Sequence, residues 1–190
     1  CVLLTDKPLG KMSLEIKWIE SVSYANELDV CMSQGLFESQ DGTRQTWKQI
    51  SPQDWQRHSI FSIKQDVKIL SEHVAEKAVE HIYNSCKKHN FRFTDVDYFL
   101  PHLSSMFFWK KLEDKLNEKE LSLDTEKWFT NLTRVGNIGS ASIYVMLDEL
   151  CCTRQLHNGE LIYLIVPESG RFSYTTACLL YTSPSPRDCS

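Results

Sequence analysis

A mixed-sheet α/β fold is predicted by three features of the sequence. Apolar residues recur at helical spacing through Val67, Leu70, Val74, Ala78, Val79, Ile82 and Cys86. Short strand-like runs such as Tyr98-Phe99-Leu100 alternate with helical stretches, and two strands in succession follow the last helix.

Val2-Leu3-Leu4-Thr5 reads as a strand, and the alternating Leu14, Ile16, Trp18, Val22 and Tyr24 as a second, so residues 1–25 are expected to form a strand pair. Residues 26–57 carry Gly35, Gly42 and Pro52 among polar residues without a sustained period, which predicts an irregular excursion with at most short helices. A strand is expected over residues 59–63, and the clearest helix of the chain over 67–89. The short buried strand 98–100 leads to a second helix from Ser104 or Ser105 to about Asn117, and a third helix carries Ile143, Met146, Leu147 and Leu150. After the Asn158-Gly159 turn, strands over 161–166 and 171–177 close a domain spanning 58–177, with a mixed five-stranded sheet and helices packed on it.

At 190 residues, 42% hydrophobic and 24% charged, the chain can bury one substantial core. Its formal charge of −4 comes from interspersed acids and bases, with no Lys/Arg stripe interleaved with aromatics, which argues against a nucleic-acid partner. No apolar run reaches the roughly 18 residues of a membrane helix. No basic region or cleavage site accompanies the apolar start, so a cytoplasmic protein is expected. The cysteines at 1, 31, 86, 151, 152, 178 and 189 are odd in number and form no CxxC pair, which reads as reduced thiols. Cys151, Cys152 and His157 do not make a usual zinc spacing, and no metal or cofactor is expected.

Both ends are unusual. The chain runs at once into a strand-like segment without a Met, which predicts further sequence upstream. Residues 178–188 resemble the translation of an adapter used in preparing sequencing libraries, and their Pro-rich run breaks with the strand before them. Residues 178–190 are therefore set apart from the fold, a natural disordered tail being the alternative.

Three short segments carry the chemistry. In Phe99-Leu100-Pro101-His102, a histidine follows the end of a buried strand and precedes a helix, where α/β sheets place ligand-binding groups; a lone histidine there also fits a structural role. In Val135-Gly136-Asn137-Ile138-Gly139-Ser140-Ala141-Ser142, an asparagine lies between glycines where small residues open a helix, so a ligand can approach the partly positive helix start. Standing alone, that asparagine better suits a tight turn. In Pro167-Glu168-Ser169-Gly170-Arg171-Phe172-Ser173-Tyr174, Gly170 permits close backbone approach, or simply turns the chain between strands.

Taken in order and spacing, these segments resemble the C-terminal half of β-ketoacyl-acyl-carrier-protein synthase III and its thiolase-superfamily relatives, from about residue 58 to 177. The resemblance implies the C-terminal half of a thiolase fold, with the strands of residues 1–25 left from the N-terminal half. It implies an acyltransferase in fatty-acid or polyketide-type biosynthesis. A cysteine takes up an acyl group from an acyl-CoA or acyl-carrier protein, and a malonyl-carrier thioester decarboxylates to an enolate that attacks it. His102 and Asn137 would then donate to the enolate oxygen, and the Gly170 N–H to the thioester oxygen. The nucleophilic cysteine would lie upstream, and the complete enzyme would be a homodimer. The chain departs from the family at His102-Leu103-Ser104-Ser105, where His-Gln-Ala-Asn is usual, and at Phe107, where a basic residue is expected. Ser105 and Phe107 thus mark variant positions beside the site, similar to a side branch serving secondary-metabolite pathways such as those to dialkylresorcinols. A non-catalytic ketosynthase-like partner is the competing expectation.

Overall fold

The computed structural model describes residues 2–8 and 13–182. In chain order the elements are β1 (Ser13–Ser23), β2 (Met32–Ser33), β3 (Leu36–Glu38), β4 (Arg44–Thr46), β5 (Lys64–Gln65), α1 (Val67–Lys88), β6 (Tyr98–Pro101), α2 (Phe107–Glu118), α3 (Leu132–Val135), α4 (Ser142–Thr153), β7 (Leu161–Glu168) and β8 (Ser173–Thr182). The main sheet runs β1-β8-β7-β6; β6 and β7 are parallel and the other pairs antiparallel. The sheet is mixed, as expected, with four strands in place of five.

Two of the expected strands do not form. Residues 59–63 form turns, because Ser59 takes a left-handed φ of 48° and Phe61 and Ile63 face solvent; Ile60 alone is fully buried. Val2, Leu3 and Leu4 form no strand and are exposed. β1 finds its partner in the far edge of β8, with a bulge between Ile16 and Trp18, so the strand pair expected within residues 1–25 does not form. The excursion contains the antiparallel pair β3 with β4 and short 3-10 turns, and its β2 pairs with β5 just beyond it.

The period-2 alternation of the strands divides two cores. Phe99 of β6, Tyr163 and Ile165 of β7 and Tyr174 of β8 face α1 through Val79, Ile82 and Cys86. Leu100, Ile162, Ala177 and Leu179 point the other way, onto Ile143, Met146 and Leu150 of α4. The 22-residue α1 is started by Asp66, whose carboxylate accepts the N–H groups of Lys68 and Ile69 at 3.0 Å. It ends with Lys87 and Lys88 in its last turn, followed by Asn90 at a φ of 48°.

β8 continues five residues past the boundary expected at 177. Cys178 and Leu179 are buried, and Leu179 to Thr182 pair with Ser13 to Ile16 of β1. Residues 178–182, set apart from the fold on sequence grounds, thus lie within β8; residues 183–190 lie outside the described residues. Among the described residues no helix is long and apolar enough to cross a membrane.

Candidate active site

Topology brings the three motifs to one edge of the sheet. β6 and β7 run parallel, and the His102 N–H donates to the Ile165 carbonyl at 2.9 Å, so His102 stands at the carboxyl end of the pair. α4 returns the chain from β6 to the start of β7 and packs on β6, so its N-terminal end, preceded by Asn137, lies at that same edge. Gly170 follows the carboxyl end of β7. This is the edge where parallel α/β units gather ligand-binding groups.

His102 is half-buried in a small apolar crevice of about 30 Å³, walled by Val74 and Ala78 of α1, Phe108 and Leu112 of α2, and Pro167. Burial pushes its imidazole pKa down, which favours the neutral ring carrying one N–H donor. Asn137 and Gly170 are not walls of this crevice, and no hydrogen bond joins the three residues.

Asn137 is exposed and oriented from within its own loop. Its Oδ1 accepts the Gly139 N–H at 3.0 Å, which leaves the Nδ2 amide as the outward donor. Gly136 and Gly139 take left-handed φ values of 79° and 64°, which any side chain would strain. The Ile138 N–H donates to Ser142 Oγ at 3.2 Å, and Ser142 is itself buried at the start of α4. The helix opening expected at residues 140–142 is a 3-10 turn over Gly139–Ala141 that feeds α4.

Gly170 is buried, and its N–H donates to Glu168 Oε1 at 2.6 Å while the Arg171 N–H donates to Glu168 Oε2 at 3.1 Å. A Cβ at Gly170 would stand 2.6 Å from that Oε1, so glycine here permits the close approach of a carboxylate. The left-handed residue of the turn is Phe172, with a φ of 51°. The Gly170 carbonyl in turn accepts the Cys31 N–H at 3.0 Å, fixing the turn to the excursion.

The variant positions have structural partners. Ser105 Oγ accepts the Phe107 N–H at 3.2 Å where α2 begins. Phe107 is 58% exposed, and Lys111 Nζ lies 4.7 Å from its ring centroid, so a cation reaches this face from one turn further along α2.

Three features escaped the sequence reading. Glu168 fills the Gly170 turn, and Glu149 of α4 binds the segment before Asn137. Cys31 brings a thiol to the site edge, but its Sγ donates to the Asp66 carbonyl at 3.3 Å, and burial, helped by Asp66 and Glu168, raises its pKa. Only Glu168, two residues before a glycine of interest, left a trace in the sequence.

Residues 86–180 match the family described as 3-oxoacyl-[acyl-carrier-protein (ACP)] synthase III C terminal. The β-ketoacyl-[acyl-carrier-protein] synthase III of Clostridioides difficile (strain 630) is 30% identical over 89 residues, covering 47% of this chain and 26% of the relative. That of Prochlorococcus marinus subsp. pastoris is 27% identical over 152 residues, covering 75% of this chain and 43% of the relative. The chain thus spans less than half the length of the curated relatives it matches. The crystal structure of 3-oxoacyl-(acyl carrier protein) synthase III from Pseudomonas aeruginosa PAO1 superposes with a TM-score of 0.62 at 16% identity, covering 88% of this chain and 44% of that one, a likeness of fold. Because the family match takes in half of the 190 residues, from the end of α1 through most of β8 and including all three motifs, the chain belongs to the 3-oxoacyl-[acyl-carrier-protein] synthase III C-terminal family.

Proposed function

We propose that this chain is the C-terminal part of an acyltransferase that joins an acyl thioester to a malonyl thioester by decarboxylative condensation. What supports the reading is the family match, which takes in all three motifs, with His102 and Gly170 following the carboxyl ends of β6 and β7 and Asn137 preceding α4. A neutral His102 N–H and the outward Asn137 Nδ2 are the two donors that a developing enolate oxygen needs. The acyl group arrives on an acyl-CoA or acyl-carrier protein and the malonyl unit on a carrier protein. The acylated cysteine belongs to a segment outside this chain, and the complete enzyme is a homodimer. The 190 residues expressed alone are expected to be inactive.

The test is decarboxylation of a malonyl thioester by the complete reading frame. His102→Ala and Asn137→Ala should each lower the rate on the order of 10²- to 10³-fold while the protein remains folded. Retention of most of the rate in both variants would sink the reading.

One observation favours a second reading, a non-catalytic ketosynthase-like partner: the Gly170 N–H already has an internal acceptor in Glu168. Unchanged condensation by a folded partner enzyme carrying H102A and N137A in this subunit would decide for it.

A further inference from the structure

Glu149 stands seven residues after Ser142 on α4, which returns it to nearly the same face of the helix. Its carboxylate is largely shielded, with 17% of the side chain exposed, and is bound on both oxygens. Oε2 accepts from Asn131 Nδ2 at 2.9 Å, and Oε1 pairs with the Arg134 guanidinium. Asn131 is only 3% exposed and precedes α3, the single turn that ends at Gly136. One face of α4 therefore grips the chain on both sides of Asn137: Glu149 holds residues 131 and 134 before it, and Ser142 holds the Ile138 N–H after it. Between these points the backbone passes through Gly136, whose φ of 79° offers no local restraint of its own.

We infer that Glu149 is a positioning residue for the Asn137 amide, acting through Asn131 and Arg134 and touching no substrate. The inference rests on Asn137 serving as an enolate donor. A donor displaced by even about 1 Å can cost on the order of 10²-fold in rate, so a remote carboxylate that fixes the loop has leverage on the chemistry.

The experiment is a double-substitution cycle in the complete enzyme, reading malonyl-thioester decarboxylation and, separately, transfer of the acyl group to the enzyme. Glu149→Ala should lower kcat for decarboxylation by about 10- to 100-fold with little change in KM, while acyl transfer, which does not use the Asn137 amide, stays near its original rate. In an Asn137→Ala background, Glu149→Ala should cost nothing further. Additive losses in the two backgrounds, or equal losses in acyl transfer and decarboxylation, would overturn the positioning role. Should the alanine variant not fold, the isosteric Glu149→Gln enters the same cycle. If Asn137→Ala alone leaves decarboxylation unchanged, it is the function proposed for the site that fails.

Discussion

The carboxylate of Glu168 accepts the Gly170 N–H at 2.6 Å, so the backbone donor that the family resemblance assigns to a thioester oxygen is held by the chain itself. On the proposed function, an incoming thioester carbonyl would have to displace that carboxylate, a charged acceptor that binds an N–H more strongly than a neutral carbonyl does. In the complete enzyme, Glu168→Ala is therefore expected to speed acyl transfer by up to about tenfold and to lower KM for the acyl thioester. Stopped-flow acylation with an acyl-CoA checks this. A slower acylation would mean that Glu168 sets the shape of the turn and does not compete for its donor.

The two-sided sheet makes core substitutions on either face costly. Phe99 is fully buried, edge-on to Phe93 and Trp128, and Leu150 is fully buried against Leu100 and Ile162 on the opposite face. Truncation of Phe99 to Ala should destabilise by about 3–5 kcal/mol, and of Leu150 to Ala by about 2–5 kcal/mol. Urea unfolding of the complete protein measures both, with the midpoint shifting while the slope stays constant.

Histidine burial gives a pH signature. His81 and His102 are both held below the ordinary histidine value of about 6.5 by desolvation. His81 Nε2 also lies 3.2 Å from the Glu20 carbonyl oxygen and 3.2 Å from Thr176 Oγ1. Each ring is more basic in the unfolded chain, so the unfolded state takes up more protons as pH falls through about 6.5, and the stability that the neutral rings preserve above that pH is lost. Glu20 adds to the trend at lower pH. Hydrogen bonds from Lys88 and then His89 lower its pKa, so its contribution is present above the ordinary carboxylate value of about 4.3 and lost as pH falls through its folded value. The thermal midpoint should be flat from pH 8 to 7 and decline toward pH 5. His81→Gln, which keeps an amide donor for the Glu20 carbonyl, should flatten that decline, and an unchanged profile in this variant would remove His81 from the explanation.

What the sequence made legible follows from how local each signal is. The periodicity of α1 and the alternation of β7 and β8 depend on neighbours three or two residues apart, and they appear in the structure close to where the pattern put them. Residues 2–5 and 59–63 have the same strand-like composition, but a strand also needs a backbone partner, and β1 took the only free edge of β8. The site divides in the same way. His102, Asn137 and Gly170 were visible because each sits in a short motif. Glu149 was not, because a glutamate in an amphipathic helix looks like any solvated residue until α3 folds back and sets Asn131 and Arg134 against it.

The thiols give the last prediction. Five cysteines are free among the described residues, and Cys31, Cys86 and Cys178 are buried. Burial pushes the Cys86 thiol up to about 12, with Cys178 adding to the effect, and the Cys178 thiol up to about 11. A thiol nucleophile must be accessible and ionisable near neutral pH, and these two are neither. Cys152 is exposed on the last turn of α4, away from the edge that holds His102. Brief treatment of the folded complete protein with iodoacetamide at pH 8, followed by peptide mass mapping, should label Cys152 rapidly and leave Cys86 and Cys178 unmodified until denaturant is added. Labelling of Cys31 in the folded protein, together with loss of acyl transfer, would instead put a reactive thiol of this chain beside Gly170 and contradict a nucleophile supplied from another segment.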